Sequence, residues 1–108
     1  MGNNRASERY AKSLLMLSID ERITEEIKGD IDLIIDSFSK SREISSLYLS
    51  PIIPIKHKIG ITKKIFTGKI HNHTLNLLLN LIIRKRDSLI ESILSKFNEL
   101  YNAHMNIE

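Results

Sequence analysis

The chain contains 108 residues, of which 42% are apolar, and it has a formal net charge of +3 and no cysteine. This length suggests one domain, and the apolar fraction is ordinary for a globular protein. The missing cysteines exclude a disulfide framework, a thiolate metal site and a cysteine nucleophile. The longest unbroken apolar run, Leu14–Leu17, is far shorter than the roughly 20 residues of a membrane span, and residues 1–12 lack an apolar stretch of the signal-peptide kind. We therefore expect a soluble intracellular protein.

Apolar residues recur at helical spacing nearly throughout, and only four glycines and two prolines interrupt the pattern. A first helix is predicted from about Asn4 to Ile19, with apolar character on two sides. One side has Ala6, Tyr10, Leu14 and Leu17, and the other has Ala11, Leu15 and Ser18. Asp20 is the predicted N-terminal cap of a second helix. The inner face of that helix is predicted to hold Ile23, Ile27, Ile31, Ile34 or Ile35, and Phe38, and its solvated side Glu25, Glu26, Asp30, Asp32 and Asp36.

A third helix is predicted over Arg42–Leu49. It ends there because Ser50 precedes Pro51, and the residue before a proline is disfavoured in the helical region. A fourth helix is predicted over Pro54–Phe66, with the proline at its first position, where a missing N–H costs nothing. Its predicted inner face is Ile55, Ile59, Ile65 and Phe66, and Gly68 is predicted to end it.

The fifth helix, predicted from about Asn72 to Arg84, is more apolar than one side of a small bundle helix requires. Its core-facing stripe is Leu75, Leu78, Leu81 and Ile82, and its flanks carry Leu77, Leu79 and Ile83. A helix that is apolar nearly all round is either buried all round or shared with another molecule. Because full burial is hard to arrange in so short a chain, this helix indicates binding rather than catalysis.

The last helix is predicted to begin at a cap formed by Asp87 or Ser88. The basic residues Arg84, Lys85 and Arg86 before it suit the negative end of the fifth helix. Its inner face is predicted to hold Leu89, Ile93, Leu94, Phe97, Leu100 and Tyr101. The predicted fold class is all-α, a compact six-helix bundle with short connections.

No residue pattern resembles a catalytic centre, and we predict no catalytic residue, no cofactor and no metal site. Gly60 and Gly68 stand alone, so there is no phosphate-binding loop. His71 and His73 are two residues apart, a spacing that points them away from each other on a helix, and we interpret both as surface residues. The lysine-rich segment 56–69 is interpreted as a solvated face. The alternative is a nucleic-acid-binding module that uses Lys56, Lys58, Lys63, Lys64 and Lys69.

The fifth helix also carries Asn76 and Asn80, which are four residues apart on one side, next to Leu79 and Ile83. One interpretation is a partly exposed edge with a few stray leucines. The other is a groove wall, where amides fix the register of a docked helix and the aliphatic side chains bury its apolar face. The surplus apolar surface of the first helix favours the groove. That helix would supply Tyr10, Ser13, Leu14 and Leu17.

Several segments resemble the ATP synthase delta subunit family, whose mitochondrial relative is the oligomycin-sensitivity-conferring protein. The stretch Ala6–Leu15, ASERYAKSLL, is similar to the opening helix of the family. Leu49–Pro54, LSPIIP, with Lys56 and Lys58 after it, resembles the family's turn before a lysine-containing helix. Thr74–Leu78, TLNLL, followed by Leu81, Ile82 and Arg86, is similar to its Thr-x-Asn-Phe-Leu run, and Phe97, Leu100 and Tyr101 resemble positions of its sixth helix.

The resemblance covers essentially the whole chain, with four departures. Ser13 stands where alanine is usual, Leu77 where phenylalanine is common, Lys85 at a frequent glycine and Asp87 at a frequent leucine. Family members continue into a C-terminal part that joins the peripheral stalk. We therefore expect this chain to correspond to the N-terminal domain alone.

The resemblance implies a six-helix bundle and a non-catalytic stator role in a proton-driven ATP synthase. The domain would cap the catalytic head and grip the N-terminal helix of an alpha subunit between its first and fifth helices. The residues expected to form that groove are Tyr10, Ser13, Leu14, Leu17, Asn76, Leu79, Asn80 and Ile83. Implied partners are the alpha-subunit helix and, through the absent C-terminal part, the b subunit of the stalk, with no nucleic acid and no insertion into the membrane. The implied location is peripheral, on the cytoplasmic face of a bacterial inner membrane.

Overall fold

Six α-helices and one short 3₁₀ turn follow one another along the chain in a computed structural model, which describes the backbone of residues 2–106 and the side chains of residues 5–106. The helices are α1 (Gly2–Asp20), α2 (Thr24–Lys40), α3 (Arg42–Leu49), α4 (Ile55–Phe66), α5 (Asn72–Ile83) and α6 (Ile90–Asn106), and the 3₁₀ turn is Asp87–Leu89. No strand occurs among these residues. The predicted all-α six-helix bundle is confirmed.

The first helix packs mainly against the last, and α2 packs against both α6 and α3, so α1 and α6 lie side by side. The centre of the core is filled by fully buried side chains from four of the helices, among them Ile27, Ile31, Phe66, Ile82, Ile93 and Phe97. On α2 the inner-face residue is Ile34 and not Ile35, because Ile34 is fully buried and Ile35 is half-buried. Among the described helices, none has the length and hydropathy needed to cross a bilayer.

Two helices end in a residue with left-handed backbone. Arg22 after α1 has φ of 61° and Lys85 after α5 has φ of 59°. The N–H of Ile23 then reaches back to the carbonyl of Ser18 at 2.8 Å, a common way to satisfy the last carbonyls of a helix. The prediction that Asp20 caps α2 is therefore wrong. Asp20 is the last residue of α1, and α2 begins at Thr24 without a side-chain cap.

The buried side of α4 differs from the predicted one. Pro54 precedes the helix as its capping residue, and Ile55, Ile59 and Ile65 are only half-buried. The buried stripe is Lys58, Thr62 and Phe66. Lys58 Nζ donates to Asp87 Oδ2 at 2.6 Å and to the carbonyl of Ser50 at 2.7 Å, and the hydroxyls of Thr62 and Tyr48 are 2.8 Å apart. Asp87 thus accepts from a lysine instead of capping α6, and Lys58 does not belong to a solvated patch.

Candidate docking groove between the first and fifth helices

The start of α5 is fixed by a carboxylate from α2. Asp30 Oδ2 accepts from the backbone N–H of His71 at 2.9 Å and from the hydroxyl of Thr74 at 2.7 Å. An acid at this place suits the positive end of the helix dipole and satisfies a backbone donor that has no partner within the helix. Asp30 is 8% exposed, so the prediction that it lies on a solvated face is wrong. It sets where α5 begins and hence where this helix lies relative to α1.

The two histidines at this end are close together, contrary to the prediction. His71 precedes α5 and its Nδ1 accepts from the N–H of His73 at 3.1 Å, and their rings stack with centroids 5.0 Å apart. The helical spacing rule fails here because His71 has extended backbone, with ψ of 149°. No group of three or more side chains suited to a metal occurs among the residues that the structure describes.

Helices α1 and α5 are connected by side chains at two points. Arg86 Nη1, just beyond α5, donates to the hydroxyl of Tyr10 at 2.9 Å. At the other end, His73 Nε2 and Glu21 Oε1 are 3.0 Å apart. The middle of α1 thus lies near the end of α5 and the C-terminal end of α1 near the start of α5, so the two helices run in opposite directions. From Tyr10 to Glu21 the distance along a helix is roughly 16 Å, about three turns.

Between these two connections the helices pack on other neighbours. The principal contacts of α1 are with α6 and α2, and those of α5 are with α4. The α1–α5 pair is not among the principal contacts of the described helices. The two helices are thus joined by side chains at two points and otherwise pack on other elements, and we call the strip between them, from Tyr10 to Glu21, the α1–α5 channel and treat it as the candidate site for a docked helix.

On α1 the four predicted groove residues differ in exposure. Ser13 is exposed, Tyr10 and Leu17 are half-buried, and Leu14 is in the core with 5% of its surface exposed. Leu14 therefore offers almost no surface to a partner and acts as packing behind the wall. Met16, which the sequence analysis omitted, is 55% exposed and lies three residues after Ser13 on the same side of the helix. In the sequence, only the apolar character of Met16 and its spacing from Ser13 could have indicated this exposed position.

On α5 the predicted wall divides into two sides. Asn76, Asn80 and Ile83 are exposed, whereas Leu79 is half-buried and packs against the core. The side toward α1 is identified by its contacts, since His73 reaches Glu21. Residues three, four, seven and eleven positions after His73 share that side, and they are Asn76, Leu77, Asn80 and Arg84. Asn76 and Asn80 are therefore predicted residues on this side, and Leu77, which the sequence analysis left out of the wall, shares it.

The Tyr10 end of the channel is positively charged. Burial raises the pKa of the Tyr10 hydroxyl, but hydrogen bonds and charges from Arg86 and Arg84 outweigh this effect and leave the pKa lowered from its ordinary value. The phenol of Tyr10 thus lies close to the guanidinium groups of both Arg84 and Arg86. This places a polar, cationic rim at one end of an otherwise aliphatic surface.

A small all-α domain with surplus aliphatic surface along one pair of helices belongs to the class of helical interaction domains. Comparison with known proteins makes the assignment specific. The family model for the ATP synthase delta (OSCP) subunit matches residues 6–108. The chain belongs to this family.

Individual relatives agree with the family match. The chain is 29% identical over 108 residues to ATP synthase subunit delta of Cytophaga hutchinsonii, covering 100% of this chain and 59% of that protein. It is 31% identical over 104 residues to the same subunit of Prochlorococcus marinus strain MIT 9301, with coverages of 96% and 58%. For Chlorobaculum tepidum the identity is 31% over 107 residues, with coverages of 99% and 59%. The chain thus spans about three-fifths of the length of the curated relatives it matches.

Proposed function

We propose that this chain is the helical docking domain of a delta subunit in an F-type ATP synthase. In this role it is a stator component without catalysis of its own, peripheral to the membrane on the cytoplasmic face of a bacterial inner membrane. It grips the N-terminal helix of an alpha subunit in the α1–α5 channel, and the b subunit of the peripheral stalk is joined through the C-terminal part of the subunit. Support for the assembly comes from the family match over residues 6–108.

The observation that carries the gripping mechanism is the pair of end contacts between α1 and α5. Because Arg86 contacts Tyr10 and Glu21 contacts His73, side chains already link the two helices in the absence of a partner. A preformed site loses less conformational freedom on binding, and this favours slow release. Leu17 and Leu77, both half-buried, lie on the sides of α1 and α5 that carry these contacts, and the exposed Met16 lies three residues after Ser13.

Amides and basic groups supply register and specificity in this proposal. Asn80 is exposed at the middle of the α1-facing side of α5. An amide can donate and accept at the same time, so it pairs with polar groups of a docked helix whichever way they point. The proposed groove residues remain Tyr10, Ser13, Leu17, Asn76, Leu79, Asn80 and Ile83 with Leu14 behind them, and Leu77 and Met16 are added.

The nucleic-acid alternative is less favoured because one of its five lysines is unavailable. Lys58 is 5% exposed and paired with Asp87, so the electrostatic footprint is smaller than the sequence suggested. Binding driven by the remaining lysines would fall steeply as salt concentration rises. Binding of an alpha-subunit helix through aliphatic side chains would change little over the same range.

The test is an NMR titration of the domain with a peptide that copies the alpha subunit's N-terminal helix from the same organism. We expect slow-exchange shifts confined to α1 and α5. Asn80→Arg should reduce the affinity by about 100-fold or more, since it places an unpaired charge in the contact, and should leave the unfolding temperature nearly unchanged because the residue is exposed. Asn102→Arg, at an exposed site on α6, is the matched control and should bind normally.

Three results would contradict the proposal. One is the absence of shifts at high peptide concentration, and another is a set of shifts centred on α4. The third is a loss of fold stability in Asn80→Arg equal to its loss of binding, which would make Asn80 a structural residue.

A further inference from the structure

The outward side of α4 is a second surface that the α1–α5 channel does not use. We call it the α4 basic face and define it by Lys56, His57, Gly60, Lys63 and Lys64. All five residues are exposed, and together with Ile61 they line an open depression along the helix. It lies on the opposite side of α4 from the buried stripe of Lys58, Thr62 and Phe66. The face is therefore available to a second partner while the channel is occupied.

Gly60 lies at the centre of this face, and the fold itself does not require a glycine there. A Cβ atom added at Gly60 would meet no other atom within 4 Å. A glycine inside a helix weakens that helix relative to alanine. Gly60 therefore lowers the stability of α4, and no contact within the domain requires a glycine there. What a glycine does permit is the close approach of another backbone.

The charges around Gly60 are not neutralised by the domain. Lys56, Lys63 and Lys64 form no ion pair within the described residues, and residues 44–86 contain no acid at all. The other helical glycine with open space above it is Gly29 on α2. There two of the nearby carboxylates are engaged by the domain itself, because Lys28 pairs with Asp32 and the hydroxyl of Tyr101 donates to Glu25.

We propose that the α4 basic face docks an acidic helix of a protein partner, which crosses α4 over Gly60. Carboxylates of that helix, spaced three and four residues apart, meet Lys56, Lys63 and Lys64, and its backbone lies close to the glycine. Charge complementarity of this kind fixes register and speeds encounter. The close approach at Gly60 favours a helix whose own crossing point is a small residue.

The test is photo-crosslinking in the intact ATP synthase purified from the source organism. Lys56 is replaced by p-benzoylphenylalanine, which leaves Lys63 and Lys64 in place. We expect one main adduct, to a helical segment of another subunit with an excess of aspartate and glutamate. A second enzyme preparation carries the same probe at Ile83, which lies beside the α1–α5 channel and reports separately on the alpha-subunit contact.

Two glycine variants separate docking from fold stability. Gly60→Ala and Gly29→Ala should both raise the unfolding temperature, since both remove a helical glycine with open space above it. Only Gly60→Ala should lower the crosslink yield from position 56, by about tenfold, because the added methyl overpacks the crossing point. Replacing both Lys63 and Lys64 by glutamate should abolish this adduct and leave the adduct at position 83 unchanged.

Several outcomes would overturn the proposal. They are no protein adduct from position 56, an adduct to nucleic acid, an adduct to a second copy of this chain, or an adduct to a segment without excess acid. Equal yields from Gly60→Ala and Gly29→Ala would also overturn it. If only the probe at position 83 forms no adduct with the alpha subunit, the proposed alpha-subunit contact is contradicted and the proposal for the α4 basic face is unaffected.

Discussion

Lys58 and Asp87 form a buried ion pair that joins two parts of the chain 29 residues apart. Their side chains are 7% and 8% exposed, and the lysine also donates to the carbonyl of Ser50 at 2.7 Å. The pair thus connects α4 to the loop before it and to the turn before α6. Taking two charges out of water is costly, so such a pair adds little net stability when intact, but breaking it leaves an uncompensated buried charge.

Replacing Lys58 by methionine should lower the free energy of unfolding by about 3–5 kcal/mol, because it leaves Asp87 buried without a counter-charge. Adding Asp87→Leu, the residue that the family frequently has there, should restore most of the loss. The measurement is urea unfolding of the two variants and the original domain. If the double variant is as unstable as Lys58→Met alone, the pair is not the cause.

Tyr48 gives a pH dependence at the alkaline end. Burial raises the pKa of its hydroxyl, the hydrogen bond with Thr62 lowers it, the charge of Asp87 raises it, and the balance lies above the ordinary value of 10.0. The folded state therefore keeps a proton that the unfolded state loses. The stabilising contribution is complete below the unfolded pKa and disappears as the pH rises through the folded pKa.

Tyr48→Phe should accordingly be less sensitive to alkali than the original domain. Near neutral pH the variant should be less stable by about 1 kcal/mol, because the Thr62 hydroxyl loses its partner. This difference should shrink between about pH 9 and about pH 11, where the tyrosine begins to titrate. Urea unfolding at several pH values measures it, and a constant difference across that range would contradict the pKa direction.

At the scale of the helices, the residue after the end of α5, Lys85, has a left-handed backbone conformation that is unfavourable for a residue with a side chain. Lys85 has φ of 59°, a conformation that costs an ordinary residue about 1–2 kcal/mol. It is also a position where the resembling family frequently has glycine. Lys85→Gly should therefore raise the free energy of unfolding by about 1 kcal/mol, after allowance for the greater freedom of glycine in the unfolded chain. Thermal unfolding tests this.

The reverse change provides the control for that prediction. Gly68 has φ of 80° in the turn after α4, and an added Cβ there meets no neighbouring atom. Gly68→Ala should thus lower stability through backbone conformation alone. If both substitutions leave the unfolding temperature unchanged, the left-handed backbone at these helix ends has no measurable energetic effect.

Local signals were sufficient wherever a helix depends on its own residues. The bounds of α3 were predicted without error, because Pro51 ends it, and those of α5 to within one residue. Prediction was incomplete on α4: the three predicted isoleucines are only half-buried against the core, and the buried Lys58 and Thr62 were missed. Their polar atoms are satisfied by Asp87 and Tyr48, which lie far away in the sequence, and no spacing rule can reveal such partners.

The candidate groove was predictable to the same extent. The sequence indicated which helices carry surplus apolar surface, but the rotation of α5 depends on its packing against α4. The wall residues of the groove therefore stay predictions, and the structure shows Leu77 and Leu79 equally half-buried against the core. Leu14 was included because it shares a stripe with Tyr10, and its burial became visible only with the packing of α1 against α6.

Charge in the whole molecule is separated into two regions. Residues 44–86 hold eight lysines and arginines and no acid, and all 13 acids lie on either side of that segment. The α4 basic face and the cationic end of the α1–α5 channel both belong to the basic region. The two proposed contacts nevertheless use different residues and different forces, one mainly aliphatic and one mainly charged, and they should be separable.

Binding in the α1–α5 channel should stabilise the whole domain, because α1 packs on α6 and α5 packs on α4. The alpha-subunit peptide at 100 times its dissociation constant should add about 2.7 kcal/mol to the free energy of unfolding. The unfolding temperature should then rise on the order of 10 °C, measured by calorimetry. The shift should be absent in Asn80→Arg and unchanged in Gly60→Ala, since the latter alters only the α4 basic face. An equal shift in Asn80→Arg would place the peptide somewhere other than the channel.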